Sequence, residues 1–158
     1  MRLKGWSFVR WLNYYDDFSR GYVLRFEKGE KFHETLIKFF TQKRFASAFF
    51  QGIGAIKNAE LGFFDIEKNG YSSKVFEGDY ELITAMGNIS LVEGKPFPHT
   101  HVSLSDEKFQ TYSGHLFEAT VSITAEVFLI PIDIALLRKP DEMLKFKPLD
   151  LPHYFATH

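Results

Sequence analysis

Apolar and polar positions change period several times along the chain, and those changes divide it into elements. Tyr22-Val23-Leu24-Arg25-Phe26 is rich in β-branched and aromatic residues and predicts a strand, closed by the turn sequence Lys28-Gly29-Glu30. From Glu30 to Arg44 the period becomes helical. Phe32, Leu36, Phe39 and Phe40 share one face, while Glu30, Lys31, Glu34, Lys38 and Lys43 occupy the rest of the wheel. Acidic side chains come early and Lys43-Arg44 late, which suits the helix dipole. From Ala46 to about Arg138 the chain reads as short strands: Ala48–Ile56, Glu60–Ile66, Tyr71–Phe76, Tyr80–Leu91, Phe97–Leu104 and Glu118–Ile130. Lys68-Asn69-Gly70, Glu77-Gly78-Asp79 and Glu93-Gly94-Lys95-Pro96 supply turns between them, and Ile134–Leu137 offers a further strand. One helix followed by many strands predicts an α+β fold, an antiparallel-rich sheet flanked by a main helix.

No internal repeat, low-complexity stretch or flexible linker divides the 158 residues, a length suited to one domain. Residues 1–20 read as an N-terminal extension lying over the domain, because Asn13-Tyr14-Tyr15-Asp16-Asp17 breaks any long period. The domain itself is expected over 21–138. A proline-punctuated C-terminal tail, 139–158, is expected to pack on it.

Composition and charge add four points. Apolar residues make up 45% and charged residues 25%, ordinary for a soluble globular protein, but 18 Phe, 7 Tyr and 2 Trp are an excess. Large rings fill cores and also subunit interfaces, so a homo-oligomer is expected. The absence of cysteine excludes disulfides, thiolate metal sites and cysteine nucleophiles together. No apolar run approaches the ~20 residues that span a bilayer, and Met1 to Trp6 opens no secretory signal; the expectation is a cytoplasmic protein with no membrane partner. A formal charge of −1 lacks the basic excess with which a domain grips phosphates, so any DNA contact is expected to be weak or indirect.

The strongest chemical signal is Pro98-His99-Thr100-His101, followed by Ser113-Gly114-His115-Leu116. Side chains two apart on a strand point to one face, so His99 and His101 can converge on one ion. A hairpin return after Asp106–Gln110 can bring His115 alongside. Three imidazoles suit zinc and leave a fourth coordination position open to a small-molecule ligand, and other divalent transition metals use the same donors. The competing reading is three hydrogen-bonded structural histidines. His33, His153 and His158 read as solvated surface residues.

Gly52-Ile53-Gly54-Ala55 is not a dinucleotide fingerprint, since Lys57 stands where the third glycine belongs and no helix pattern follows. The glycines read instead as points of close strand approach or as a bulge. Glu81 and Glu126 are acids inside apolar strand patterns. Each either faces solvent by simple alternation or faces the histidines, where it would orient a ligand or act as general base, and Glu81 is the first candidate for that catalytic role.

Taken in order, Gly29-Glu30, Gly52-Ile53-Gly54-Ala55, Leu61-Gly62, Glu81 through Gly87, His99-Thr100-His101, Gly114-His115-Leu116 and Ala125-Glu126-Val127 resemble the PPC domain, named for plants and prokaryotes conserved. The resemblance covers roughly Tyr22 to Ile132. It implies an antiparallel-rich sheet flanked by helix, a homotrimer, and a zinc site on His99, His101 and His115. Prokaryotic relatives of this stand-alone type are described as predicted DNA-binding proteins. The plant AT-hook is missing, and the plant Gly-Arg-Phe-Glu-Ile-Leu stretch reads Gly78-Asp79-Tyr80-Glu81-Leu82-Ile83, with an acid in place of the arginine. Three functions follow: a trimeric metal-binding module associated with DNA, a zinc enzyme hydrolysing or hydrating a small molecule, and a scaffold with a structural metal.

Overall fold

Long strands dominate the chain, and a 12-residue helix interrupts them once. The structure, a computed structural model, describes residues 10–15, 20–143 and 145–152. The α+β label holds in coarse form, with sheet far outweighing helix. The order is β1 (Arg10–Tyr15), β2 (Arg20–Glu27), α1 (Phe32–Lys43), β3 (Ser47–Asp65), β4 (Gly70–Val92), β5 (Lys95–Ser105), β6 (Thr111–Ile132) and β7 (Leu137–Arg138). The sheet runs β1-β2-β6-β3-β4-β5, and β5 pairs again with β6, which closes β3, β4, β5 and β6 into a ring. Every pairing is antiparallel except β7 on β4.

The helix lies where its period predicts, and Phe32, Leu36 and Phe39 are fully buried. They meet Leu24 and Phe26 of β2, Phe50 and Ile56 of β3 and Leu129 of β6 in one core. Each such side chain contributes roughly 1.5–3 kcal/mol of burial. Edge contacts between Phe26 and Phe32, and between Tyr22 and Phe39, lock helix to sheet. Arg44 ends the helix in the left-handed conformation.

Four of the expected strands merge into two. Ala48–Ile56 and Glu60–Ile66 are halves of β3, and Tyr71–Phe76 and Tyr80–Leu91 are halves of β4. Glu77-Gly78-Asp79 is therefore not a turn. Lys57 pairs with Asp79 and Ala59 with Phe76, so one residue of β3 faces two of β4 in a bulge. Gly78 takes φ +87° there and donates its N–H to Asn58 Oδ1 at 3.2 Å. A glycine that permits positive φ serves a bulge as readily as a turn. The Glu93-Gly94 turn, by contrast, is a two-residue hairpin with both residues at positive φ, joining β4 to β5.

Gly52 and Gly54 mark close approach, as expected. A Cβ on Gly52 would stand 2.7 Å from the Glu126 carbonyl oxygen, and the β3 register shifts between the two glycines. At the chain's start, Arg10–Tyr15 pairs with β2 as an edge strand. After β6, β7 takes up Leu91 and Val92 of β4, and the segment beyond it folds back so that Arg138 bridges Leu149. No helix among the described residues is long and apolar enough to cross a membrane.

Candidate metal centre

His99 and His101 sit two apart on β5, and His101 is the direct antiparallel partner of His115 on β6. Two strand rules thus converge: i and i+2 share a face, and directly opposed residues place their Cβ atoms about 4.5–5.5 Å apart. Ring centroids lie 5.3 Å apart for His99–His101, 5.2 Å for His99–His115 and 5.6 Å for His101–His115. One nitrogen from each ring lies within 4.8 Å of the other two. Among the described residues this group contains no fourth histidine, cysteine or carboxylate.

The hairpin that returns β6 alongside β5 is tied by Asp106. Its Oδ1 accepts the backbone N–H groups of Lys108 and Gln110, both at 2.9 Å, and these bonds hold its carboxyl below the usual range. On the other side of β5, Gly87 faces Thr100, and a Cβ there would run into the His99 carbonyl. Glycine is what lets β4 approach the histidine strand so closely.

His33 does not stand on the solvated surface. It is 8% exposed, wedged between α1 and the sheet. Its Nδ1–H donates to the Phe117 carbonyl at 2.9 Å, and the Thr100 hydroxyl lies 2.8 Å from Nε2. A carbonyl can only accept, which fixes the tautomer and leaves Nε2 to accept from Thr100. Burial lowers the His33 pKa, keeping the ring neutral. Thr100 alternates with His99 and His101, so this bond pins the histidine strand from behind. His153 and His158 lie outside the described residues.

Burial likewise lowers His99 and His115 to about 4, helped by the Arg138 guanidinium and His101 at His99, and by His99 and His101 at His115. Both rings are neutral at physiological pH, the form that ligates metal. His115 is clasped by Tyr71 and Phe117, each with its centroid 5.1 Å away. Its Nδ1 is buried without a hydrogen-bond partner among the described residues. Neutral rings and convergence together fit a divalent transition metal, which would take the His99 lone pair now facing Arg138.

Glu81 stands elsewhere. It is exposed, pairs with Ala55 and Ser105, and borders a shallow depression with Ile53, Ile83 and Ile123. Five positions of β4 separate it from Met86, the partner of His101, a span of about 17 Å. Glu126 is also exposed, opposite Ile53. The histidines border a different cavity, of about 490 Å³, lined in part by His33, His99, His115 and Arg138.

Arg138 is the residue near the site that the sequence did not single out. Its Nη2 lies 2.9 Å from His99 Nδ1, and Nε donates to Ser90 Oγ at 2.7 Å. Asn88 Oδ1 and the Lys147 carbonyl accept its remaining bonds at 3.1 and 2.8 Å. The segment carrying Lys145, Phe146 and Lys147 then crosses one side of the cavity. Asn69 holds it by donating to the Met143 carbonyl and accepting from Lys145 N–H, at 2.9 and 2.7 Å. The ring of Phe146 stands 5.9 Å from that of Phe64.

Comparison with known proteins agrees with this architecture. A plant- and prokaryote-conserved (PPC) protein from Pyrococcus horikoshii is 34% identical, with TM-score 0.75 over 90% of this chain and 97% of its own. A metal-containing protein from Archaeoglobus fulgidus is 29% identical, with TM-score 0.78 over 92% and 100%. A candidate DNA-binding protein from Ralstonia eutropha JMP134 is 28% identical, with TM-score 0.76 over 83% and 91%. No curated protein matches the sequence. The model of the Plants and Prokaryotes Conserved (PCC) domain, the same family under another abbreviation, matches residues 14–133, and Arg138 and the segment after it lie beyond that match. The chain belongs to the Plants and Prokaryotes Conserved domain family.

Proposed function

We propose that this protein is a trimeric metal-binding module that holds one divalent ion, zinc in the first instance, on His99, His101 and His115. The observation that carries the reading is the convergence of three imidazole nitrogens within 4.8 Å of one another. A metal-containing relative from Archaeoglobus fulgidus supports it. Elemental analysis of the purified protein tests it: about one transition metal per chain is expected, falling to background in His101→Ala. A metal-free protein that also fails to take up added zinc would overturn it.

The trimer reading rests on an exposed apolar face. Ile53, Ile83, Ile123 and Phe128 are each more than half exposed, and they come from the neighbouring strands β3, β4 and β6. Patches of this kind are normally covered by another subunit. Light scattering should give three times the chain mass of 18.4 kDa, and a mass near 18.4 kDa would remove the reading.

Association with DNA is supported by the Ralstonia eutropha relative and opposed by the formal charge of −1. Contact through a partner protein satisfies both. A gel shift at low salt with the isolated protein should show no complex, whereas a tight complex would establish direct binding. A second reading, zinc-dependent hydrolysis or hydration of a small molecule, is favoured by the cavity beside the histidines, because a three-ligand ion keeps a position for water. Screening metal-loaded protein against His101→Ala decides it; equal turnover in both leaves no enzyme.

A further inference from the structure

Arg138 is a buried cation without a counterion. It is 7% exposed, and its four hydrogen-bond acceptors, Ser90 Oγ, Asn88 Oδ1, the Lys147 carbonyl and His99 Nδ1, are all neutral. No carboxylate among the described residues meets it. Buried charges are ordinarily paired, because an unpaired one carries the full cost of desolvation.

The lining adds positive charge. Lys145 and Lys147 border the same cavity, Lys147 with Glu93 Oε1 3.9 Å from its Nζ, and no aspartate or glutamate among the described residues lines it. An ion on three neutral imidazoles would bring two further charges to its edge. Most of the remaining wall is apolar, with Tyr71, Phe97, Phe117 and Phe146 its aromatic part. Phe97 already lies against the guanidinium, 5.6 Å from ring centroid to Cζ. A volume of about 490 Å³ is in the range of small-molecule sites.

We propose that this cavity binds a small organic carboxylate with a planar apolar body, its charged end between Arg138 and the open position of the histidine-held ion. The proposal rests on the metal reading above. Apolar walls favour a ring-bearing ligand that stacks on them. They also favour a singly charged carboxylate over a phosphate dianion, whose charge is costlier to desolvate. The charged end supplies the counterion that Arg138 lacks. Because Arg138, Lys145 and Lys147 come from beyond the matched domain, the ligand preference is set by the segment after β6.

Cobalt(II) in place of zinc gives a visible spectrum that reports on the fourth coordination position, and benzoate serves as the probe. Benzoate added to the cobalt-loaded full chain should shift the bands saturably. Benzyl alcohol and inorganic phosphate at equal concentration should not. Arg138→Gln should weaken benzoate roughly tenfold or more, as expected for a charge-assisted contact, measured with the variant saturated in cobalt because Arg138 also touches His99. Should that variant not fold, Lys145→Gln with Lys147→Gln carries the test, with weaker benzoate binding and unchanged cobalt affinity expected. A cobalt-loaded protein indifferent to benzoate, or equal benzoate affinity in native and variant proteins, would overturn the proposal alone. If cobalt does not load, the metal reading falls. Calorimetry of benzoate against the metal-free chain then decides: saturable binding lost in the lysine variant upholds the carboxylate site, and no binding ends it.

Discussion

The two halves of the cavity are built by different means. His99, His101 and His115 stand on β5 and β6, where continuous ladders fix the backbone and Thr100 fixes it again from behind. Arg138, Lys145 and Lys147 stand on a segment held by a two-residue parallel strand and mainly by side-chain contacts, those of Arg138 with Ser90 and Asn88, of Asn69 with the tail backbone, and of Phe146 with Phe64. The first half lies inside the matched domain and the second beyond it. The donors thus stand on strands of the matched domain, whereas charge and shape beside them come from the segment that follows β6. Perturbations of the two halves should separate accordingly.

The largest effect is expected from His101→Ala. The side chain is exposed, so the fold should survive while metal affinity falls by more than about a hundredfold, beyond what loss of a supporting residue costs. Isothermal titration with zinc, alongside circular dichroism, checks both. Next comes Thr100→Val, which leaves the buried His33 Nε2 without its donor and should cost about 1–3 kcal/mol of global stability in urea. Unchanged stability would mean that the pin behind β5 carries no load.

Acid should come third. His99 and His115 are held near 4 against an ordinary value of 6.5, and His33 is lowered as well. The unfolded chain therefore takes up protons first. For the metal-free protein, the stability contributed by these rings is complete above pH 6.5 and is lost progressively as pH falls toward 4. Thermal melts at pH 7, 5.5 and 4.5 should decline in that order, and a flat series would place the rings in contact with water. The smallest effect belongs to Asn69→Ala, which removes two hydrogen bonds of about 0.5–1.5 kcal/mol each from the tail alone. Amide exchange of residues 141–147 should quicken while exchange in β5 stays slow.

The same division governs what the sequence discloses. The helix is legible because Phe32, Leu36, Phe39 and Phe40 repeat on one face, and all four are buried. His99 and His101 are legible from a period of two, and His115 from a hairpin return. His33 is hidden because a neutral imidazole between helix and sheet imposes no period of its own; its partners, Phe117 and Thr100, are 84 and 67 positions away. Arg138 is hidden for the same reason, since its acceptors come from β4, β5 and the tail. Glu77-Gly78-Asp79 misleads because turns and bulges ask for the same glycine.

At His101, β5 is bonded to β4 through Met86 and to β6 through His115, leaving that stretch without a free edge. An arriving ion has no strand to recruit and no loop to order; it meets imidazoles that need only small rotations. Chelation should accordingly yield an intact, reloadable apoprotein, unlike zinc fingers, which unravel when stripped. On the metal reading, a vessel that keeps its shape when emptied could be refilled with a different cation, and occupancy would follow supply as much as affinity.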